Sequence, residues 1–346
     1  MQPRDVAGAT AAEEVVASFD SLGLDTRIRR ALTRMRWARP TPVQQQVIRL
    51  ALDGKDVLAR APTGSGKTAA YVLPVLHKVL KARAQRGSSG GIESVILVPT
   101  VELCTQVTKV FREVARYCTG ESAARVLGLS AEASIETQQA QLSEVWHIVV
   151  ATPGRLAALI KAESVVLRNT VHSLVIDEAD LMLSYGYEDD TRTVVSSLPR
   201  ICQSILVSAT LSDDVDELQK LVLQNPVTVN ISNEEHGTAS RLAQYYIRTP
   251  VPDKHLLLYT LLKLKVIPGK ALIFVNDVES CFRLKLFLDA FSVQSAAMDS
   301  QLPHNSRVSI VEAFNRGLFD YLIATDEVRQ PVLHLCPAAA AAVVCL

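Results

Sequence analysis

A glycine-rich loop at residues 61–68, Ala-Pro-Thr-Gly-Ser-Gly-Lys-Thr, constrains the fold of this chain more than any other segment. It follows a short apolar run at 56–59 and precedes an apolar segment at 69–73 that suits a helix. A strand, a glycine loop and a helix in this order direct backbone N–H groups at a polyphosphate. Lys67 can then neutralise β- and γ-phosphate charge, while the Thr68 hydroxyl holds Mg²⁺. The strict pattern has glycine where Ala61 stands, so an ordinary glycine turn is the alternative. The residues that we predict to hold the nucleotide in this loop are Thr63, Gly64, Ser65, Gly66, Lys67 and Thr68.

A second apolar run, at 174–176, ends in the acidic segment Asp177-Glu178-Ala179-Asp180. Carboxylates at the end of a strand can reach a metal held by a phosphate-binding loop, and Mg²⁺ prefers oxygen ligands. We therefore predict that Asp177 binds Mg²⁺, directly or through a water, and that Glu178 orients and deprotonates the attacking water. Together with Lys67 these are the predicted catalytic residues. The alternative is a helix N-terminus, where the dipole favours acidic side chains.

The composition is that of a globular protein with 48 % hydrophobic and 21 % charged residues, and 346 residues suggest two domains. The net charge is zero, so any polyanion must bind to a local basic patch. Six scattered cysteines without a Cys-x-x-Cys pair indicate reduced thiols. We expect no signal or transit peptide at the N-terminus. No run approaches the roughly 20 apolar residues of a membrane span, so we expect no membrane partner.

Short β-branched runs alternate with amphipathic stretches along most of the chain, which predicts an α/β fold with a parallel sheet flanked by helices. The predicted strands of the first unit are 56–59, 94–98, 125–128, 147–151, 173–176, 204–208 and 227–230, with helices such as 103–117 and 213–223. In a second unit we predict strands at 241–248, 271–275, 295–298 and 321–324 and helices at 254–265, 278–291 and 306–315. The predicted organisation is an arm at 1–18, a nucleotide-binding domain at 19–231, a linker at 232–240, a partial second domain at 241–326 and a divergent tail at 327–346.

Several short motifs occur in one order, and the ordered set is far more specific than any member. They are Pro40-Thr41-Pro42-Val43-Gln44, the phosphate loop, Pro99-Thr100-Val101-Glu102-Leu103, Thr152-Pro153-Gly154-Arg155, Asp177-Glu178-Ala179-Asp180, Ser208-Ala209-Thr210, Leu272-Ile273-Phe274-Val275-Asn276 and Ala324-Thr325-Asp326. The set resembles DEAD-box ATP-dependent RNA helicases. The amino-acid sequences of residues 183–190, 282–288 and 314–320 are similar to those of a nucleolar subgroup that assists assembly of the large ribosomal subunit.

The resemblance implies a P-loop NTPase with a RecA-like first domain, an incomplete RecA-like second domain, and ATP and Mg²⁺ as cofactors. Gln44 is the implied adenine-reading residue, because a primary amide donates and accepts at once. Phe19 stands at the family's spacing for stacking on the base, with a core contact as its alternative. The family usually has glycine where Arg36 stands. Asp180, Ser208 and Thr210 are the residues implied to couple the nucleotide to domain closure.

Single-stranded RNA or a short duplex, bound without sequence preference, is the implied partner, together with pre-ribosomal proteins. Such binding relies on phosphate contacts. The implied RNA-binding residues are Pro99, Thr100, Thr152, Gly154, Arg155, Phe274, Asn276, Arg307 and Thr325. Val101 and Cys104 depart from the basic residue and the alanine that the family usually has, which predicts weaker RNA affinity. The resemblance also implies a nuclear, nucleolar location.

The family's second domain continues with an arginine-containing segment and a His-Arg-x-Gly-Arg element that reach the γ-phosphate. Residues 327–346 contain one arginine, Arg329, and no such element. Loss of an arginine finger removes about 10³–10⁵ in rate. Two interpretations therefore stay open: an ATP-dependent RNA helicase, or a truncated module that binds ATP and RNA or a partner without turnover. An RNA-stimulated ATPase assay separates them.

Overall fold

The structure, a computed structural model, describes residues 18–62, 64–86, 90–118, 123–210, 213–231, 243, 245–299, 301–325 and 341–345. Thr63, the N-terminal arm, the predicted linker, Asp326 and most of the tail therefore lie outside the described residues. Within the described part, no helix is both long and apolar enough to cross a membrane.

The first unit is built on a parallel seven-stranded sheet in the order β3-β4-β2-β5-β6-β1-β7. Its strands are β1 Val57–Arg60, β2 Ser94–Leu97, β3 Val126–Leu129, β4 Ile148–Ala151, β5 Ser173–Ile176, β6 Gln203–Ser208 and β7 Val227–Asn230. The helices are α1 Thr26–Arg34, α2 Pro42–Leu52, α3 Lys67–Arg86, α4 Val101–Ala115, α5 Ile135–Leu142, α6 Pro153–Lys161, α7 Ala179–Ser184, α8 Glu188–Ser196 and α9 Asp213–Val222. The RecA-like sheet that the strand–helix alternation predicted is confirmed.

Both faces of this sheet are buried, which is why its strands are continuously apolar. Along β1, Val57 and Ala59 join a core formed with helices α1 to α4, whereas Leu58 joins a second core on the opposite face. The first core is centred on large buried side chains such as Phe111, and the second includes Met182 of α7. Because every strand is parallel, all loops that follow strands open at one carboxyl edge, where ligands of such sheets bind.

The second unit holds a parallel four-stranded sheet in the order β11-β8-β10-β9. Its strands are β8 Lys270–Val275, β9 Ser295–Met298, β10 Tyr321–Thr325 and β11 Ala341–Cys345, and its helices are α10 Lys254–Lys263, α11 Val278–Ala290 and α12 His304–Arg316. Phe274 and Phe314 pack in a core on one face, and Ile273 and Leu284 in a core on the other. The prediction of a second parallel sheet with flanking helices is confirmed.

Two local predictions for this unit differ from the structure. Residues 245–248, predicted as a strand, have no strand conformation, and Tyr245 is 91 % exposed. A strand needs a hydrogen-bonding neighbour, and the described part of the sheet ends at β11 and β9 without pairing to this segment. Conversely, the tail was not predicted to contain a strand, yet β11 pairs in parallel with β8, with Val344 opposite Ile273.

Candidate nucleotide and nucleic-acid site

The glycine loop connects the carboxyl end of β1 to the first residue of α3, as the sequence predicted. Gly64 and Gly66 have φ angles of +79° and +88°, a left-handed region that glycine adopts without strain. At Gly66 a Cβ atom would also collide with the amide of Gln44. The loop therefore requires glycine for two reasons, backbone conformation and the close approach of α2.

Gln44 forms a hydrogen bond to this loop. Its Nε2 donates to the Gly66 carbonyl at 3.1 Å, and its Oε1 accepts from the Thr41 N–H at 3.1 Å at the start of α2. Gln44 is thus positioned by both segments, and its contact with adenine stays a prediction. Phe19 is 6 % exposed and packs in the core beside α1 to α4, so the alternative of a core contact describes its position.

Arg36, where the family usually has glycine, has a φ of +59°, in the left-handed region, where a side chain costs about 1–2 kcal/mol. Glycine would adopt this conformation without strain, so the turn before α2 forms here at a conformational cost.

The lysine of the loop is buried and incompletely satisfied. Lys67 Nζ lies 3.3 Å from Glu178 Oε1, and both side chains are under 8 % exposed. The ion pair lacks hydrogen-bond geometry, because Lys67 Nζ has no hydrogen-bond partner among the described residues, and neither has the buried Ser65 Oγ. Buried donors without partners are uncommon in folded proteins. Two such donors beside a glycine loop fit an anionic phosphate ligand.

Asp177 and Thr68, the predicted Mg²⁺ ligands, both act on Tyr71. Tyr71 OH donates to Asp177 Oδ2 at 2.7 Å, and the Thr68 side chain lowers the pKa of Tyr71. Both predicted oxygen ligands therefore lie near this tyrosine, and the donor set suits a hard divalent cation. Tyr71 was missed by sequence reasoning, which treated 69–73 only as an apolar helix start. Its spacing of one helical turn from Thr68 is the signal that could have identified it.

Burial controls the electrostatics of the acidic segment. Burial raises the pKa of Asp177, while the Lys67 ammonium and the Tyr71 hydrogen bond lower it. The pKa of Tyr71 is raised well above its usual value, first by burial and then by the Asp177 charge. Glu178 has φ +49°, and Asp177 Oδ1 accepts its N–H at 3.0 Å. The strained turn directs the Glu178 carboxylate back at Lys67.

The predicted coupling residues form one hydrogen-bonded group. Asp180 Oδ2 accepts from the Thr210 N–H at 3.0 Å and from its hydroxyl at 2.8 Å. Ser208 Oγ donates to the Thr210 carbonyl at 2.6 Å. The ends of β5 and β6, neighbouring strands, are joined here beside the end of β1.

The predicted RNA-binding residues of the first unit lie at the carboxyl ends of β2 and β4. Pro99 and Thr100 follow β2, and the Thr100 hydroxyl caps α4 by accepting the Leu103 N–H at 3.2 Å. Thr152 follows β4, while Gly154 and Arg155 form the first turn of α6. Since β2 and β4 are adjacent, these residues share one stretch of the edge.

In the second unit the predicted RNA-binding residues differ in their exposure to solvent. Phe274 is 2 % exposed, so only its backbone suits contact with RNA, whereas Asn276 is exposed directly after β8. Thr325, at the end of β10, is buried, and its hydroxyl has no partner among the described residues. Arg307 of α12 pairs with Glu102 of α4 at 2.8 Å. This ion pair joins the two units, and Glu102 was not predicted to take part in the site.

A cavity of about 410 Å³ lies beside α4 and β3, next to this edge. It is lined by Cys104, Gly128 and the exposed cations Lys109 and Arg112. Cys104 Sγ donates to the Val150 carbonyl at 3.3 Å, and burial raises the pKa of the Cys104 thiol to about 12. The thiol that replaces the family's alanine is therefore protonated and packs as a small apolar group.

Comparison with known proteins agrees with this geometry. The family model for DEAD/DEAH box helicases matches residues 41–218, and the model for the helicase conserved C-terminal domain matches residues 253–329. The chain belongs to the DEAD/DEAH box helicase family. The family that the sequence motifs resemble is therefore confirmed for this DEAD-box chain.

Two relatives and one solved structure illustrate the similarity. The chain is 44 % identical over 314 residues to the probable ATP-dependent RNA helicase ddx56 of Dictyostelium discoideum, covering 91 % of this chain and 45 % of that protein. It is 45 % identical over 311 residues to the ATP-dependent RNA helicase dbp9 of Aspergillus niger, covering 90 % and 50 %. A single-residue variant of S. cerevisiae Dbp5, bound to RNA and ADP BeF3, superposes with a TM-score of 0.76 at 25 % identity, covering 89 % of this chain and 75 % of Dbp5. The chain spans about half the length of the curated relatives that it matches.

Proposed function

We propose that this chain binds ATP with Mg²⁺ and single-stranded RNA, and that it forms the ATP-hydrolysing part of a DEAD-box RNA helicase. The observation that carries the proposal is the buried Lys67 ammonium, which lies beside the glycine loop and Asp177 and has no hydrogen-bond partner among the described residues. The relatives named ATP-dependent RNA helicases and the RNA-bound Dbp5 variant support the same assignment.

Each residue of the edge has a defined task in this proposal. Lys67 exchanges its contact with Glu178 for the β- and γ-phosphates, and the loop N–H groups hold the remaining oxygens. The released Glu178 carboxylate then accepts a proton from the attacking water. Asp177 and Thr68 would hold Mg²⁺, which would neutralise charge that develops on the phosphates. Gln44 binds the hydrogen-bonding edge of adenine. Phe19 packs in the core and fixes the segment that precedes Gln44 in the chain.

The RNA backbone lies in this proposal along the edge formed by Thr100, Thr152 and Arg155, and continues to Asn276 and Arg307. Arg307 pairs with Glu102 through Nη2, so a phosphate that displaced Glu102 from Arg307 would break this contact between the two units. The Asp180–Thr210 hydrogen bonds connect the nucleotide to the neighbouring strand end.

The second candidate is a module that binds ATP and RNA without turnover. It is favoured by one feature of residues 327–346: they contain one arginine, Arg329, and no His-Arg-x-Gly-Arg element. An ATPase that works without an arginine finger is slower by about 10³–10⁵ but keeps the loop, the lysine and the Mg²⁺ ligands.

One set of assays separates the candidates. ATP affinity is measured by calorimetry, and ATP hydrolysis is measured with and without single-stranded RNA, for the wild type, Lys67→Ala and Glu178→Gln. We expect Lys67→Ala to abolish or strongly weaken ATP binding, and Glu178→Gln to bind ATP without hydrolysis. RNA-stimulated turnover of the wild type supports the helicase and excludes the non-catalytic module, whereas unchanged ATP affinity of Lys67→Ala would refute both.

We further propose a nuclear, nucleolar role in assembly of the large ribosomal subunit, with pre-ribosomal proteins as partners. The support is the similarity to the ddx56 and dbp9 relatives, together with the resemblance of residues 183–190 to the nucleolar subgroup. A fluorescent fusion that is absent from nucleoli, or a depletion that leaves large-subunit RNA processing unchanged, would contradict this role.

A further inference from the structure

The charge of this chain is neutral overall, but one short segment of its surface is strongly basic. Residues 26–39, which comprise α1 and the turn after it, contain six arginines and no acidic residue. Two of them are paired locally: Arg27 with Asp25 at 2.9 Å, and Arg29 with Asp20 at 3.1 Å. The other four, Arg30, Arg34, Arg36 and Arg39, are exposed, and within the described chain none of them pairs with a carboxylate.

Helix stability does not account for this arrangement. Arg30 and Arg34 are four residues apart on one helix face, where like charges destabilise a helix. The helix dipole favours Arg34 at the C-terminal end, and its guanidinium also lies 5.3 Å from the Tyr117 ring centroid. Neither effect applies to Arg30 or Arg39. Arg36 occupies a left-handed position with φ +59°, which glycine would adopt without strain.

The Arg34 end of the basic segment lies apart from the predicted RNA-binding residues, whereas Arg39 is two residues before Thr41, which borders the phosphate loop at Gly66. Helix α1 packs on α4, and the Asp25 N–H donates to His77 Nδ1 on α3 at 3.0 Å. Thr100 begins α4 at the carboxyl edge, whereas Tyr117, under Arg34, follows its other end. The 15 residues of α4 separate the two places by about 22 Å at 1.5 Å per residue.

We propose that Arg30, Arg34, Arg36 and Arg39 form a second RNA-backbone surface, the α1 arginine surface, which holds RNA that extends beyond the strand-edge site. The inference rests on the proposed RNA-binding function. Guanidinium groups suit phosphates because they donate in a planar fork and stay charged. A neutral chain gains affinity for a polyanion through such a local patch. For a strand stacked as in a duplex, at about 3.4 Å per nucleotide, 22 Å corresponds to roughly seven nucleotides.

The test compares RNA length, net charge and salt. Affinities for a 6-nucleotide and a 20-nucleotide single strand are measured by fluorescence anisotropy between 50 and 200 mM salt. The test variant carries Arg30→Gln, Arg34→Gln, Arg36→Gln and Arg39→Gln. The control variant carries the same charge change at exposed cations elsewhere, Lys161→Gln, Arg168→Gln, Arg200→Gln and Lys220→Gln. A double variant, Arg30→Gln with Arg39→Gln, avoids the Tyr117 contact in case the quadruple variant is unstable.

We expect the test variant to bind the 20-mer about tenfold more weakly than the control variant, and the 6-mer equally. Its salt slope for the 20-mer falls by up to about 2.8, which is 0.7 for each of four phosphates. Equal 20-mer affinities of the two variants would overturn the proposal. If the two variants bind the 20-mer equally and a fluorescent fusion of the test variant is no longer imported into the nucleus, the surface binds an import receptor instead. Failure of the wild type to bind even the 6-mer refutes the proposed RNA function and this inference together, whereas 6-mer binding without a length effect refutes only the inference.

Discussion

The buried Lys67–Glu178 pair predicts unequal losses of folding stability for substitutions at its two residues. These losses can be measured before any nucleotide is added. Both side chains are under 8 % exposed, and the Lys67 charge also lowers the pKa of the neighbouring Asp177 against the effect of burial. Removing the lysine leaves two buried carboxylates without their cation. Removing the Glu178 charge leaves Lys67 beside Asp177. The two substitutions therefore have unequal costs.

Loss of one partner of a buried ion pair costs about 3–5 kcal/mol, which is the expected destabilisation for Lys67→Met, a substitution of similar length. For Glu178→Gln we expect about 1–2 kcal/mol, since a polar group of the same shape remains. The double variant should be more stable than Lys67→Met by at least about 1 kcal/mol, because neutralising Glu178 removes one of the two uncompensated charges.

The assay is urea unfolding at pH 7.5 without nucleotide, with Lys161→Met as the control, since Lys161 is exposed. The control should stay within about 0.5 kcal/mol of the wild type. If Lys67→Met unfolds like the control, or if the double variant is no more stable than the single one, the pair is not energetically coupled and the electrostatics described for the site are wrong.

Three further predictions concern single contacts. Tyr71→Phe removes the hydroxyl that donates to the buried Asp177 and should cost about 1.5–3 kcal/mol in urea unfolding, whereas Tyr245→Phe, at a residue 91 % exposed, should cost nothing measurable; equal costs would contradict this hydrogen bond. Thr210→Val removes a hydroxyl donated to Asp180 and should reduce RNA stimulation of ATP hydrolysis while leaving the ATP affinity within about threefold, so a parallel loss of affinity would argue against a coupling role. Burial, reinforced by Arg83 and Arg125, lowers the pKa of His147 to about 4. Because the unfolded chain protonates His147 first, its contribution is complete above about pH 6.5 and about 2–3 kcal/mol is lost as the pH falls towards 4; His147→Gln should remove this part of the acid sensitivity, and an unchanged pH profile would show that other groups cause it.

Much of the fold could be predicted because its periodic signals are strong. The strands of a parallel sheet covered on both faces are continuous apolar runs, so 173–176 and 227–230 were predicted with the bounds that the structure has. The phosphate loop and the acidic segment were predicted to meet, since both follow parallel strands, and Lys67 and Glu178 are 3.3 Å apart. Signals of this kind depend on local sequence.

The features that were not predicted depend on distant partners. Strand β11 is an alanine–valine run without alternation, and it is a strand because β8 offers a hydrogen-bonding edge. Residues 245–248 have a strand-like sequence but no such neighbour in the described sheet. Tyr71 looked like an ordinary helix residue, and Glu102 was only a member of a motif without an assigned contact. The folded chain shows that Tyr71 contacts Asp177 and that Glu102 contacts Arg307. Tertiary context overrides local propensity at these places.

The central claim is that Mg²⁺ and the triphosphate are held between Thr68 and Asp177 at the carboxyl edge of the first sheet. The most direct test is an anomalous-scattering map from crystals of this chain grown with Mn²⁺, ADP and beryllium fluoride. The expected result is one Mn²⁺ peak bound by the Thr68 hydroxyl at about 2.0–2.2 Å and by Asp177, directly or through one water, with the phosphates against Lys67. A nucleotide bound elsewhere, or a metal peak distant from both residues, would contradict the claim.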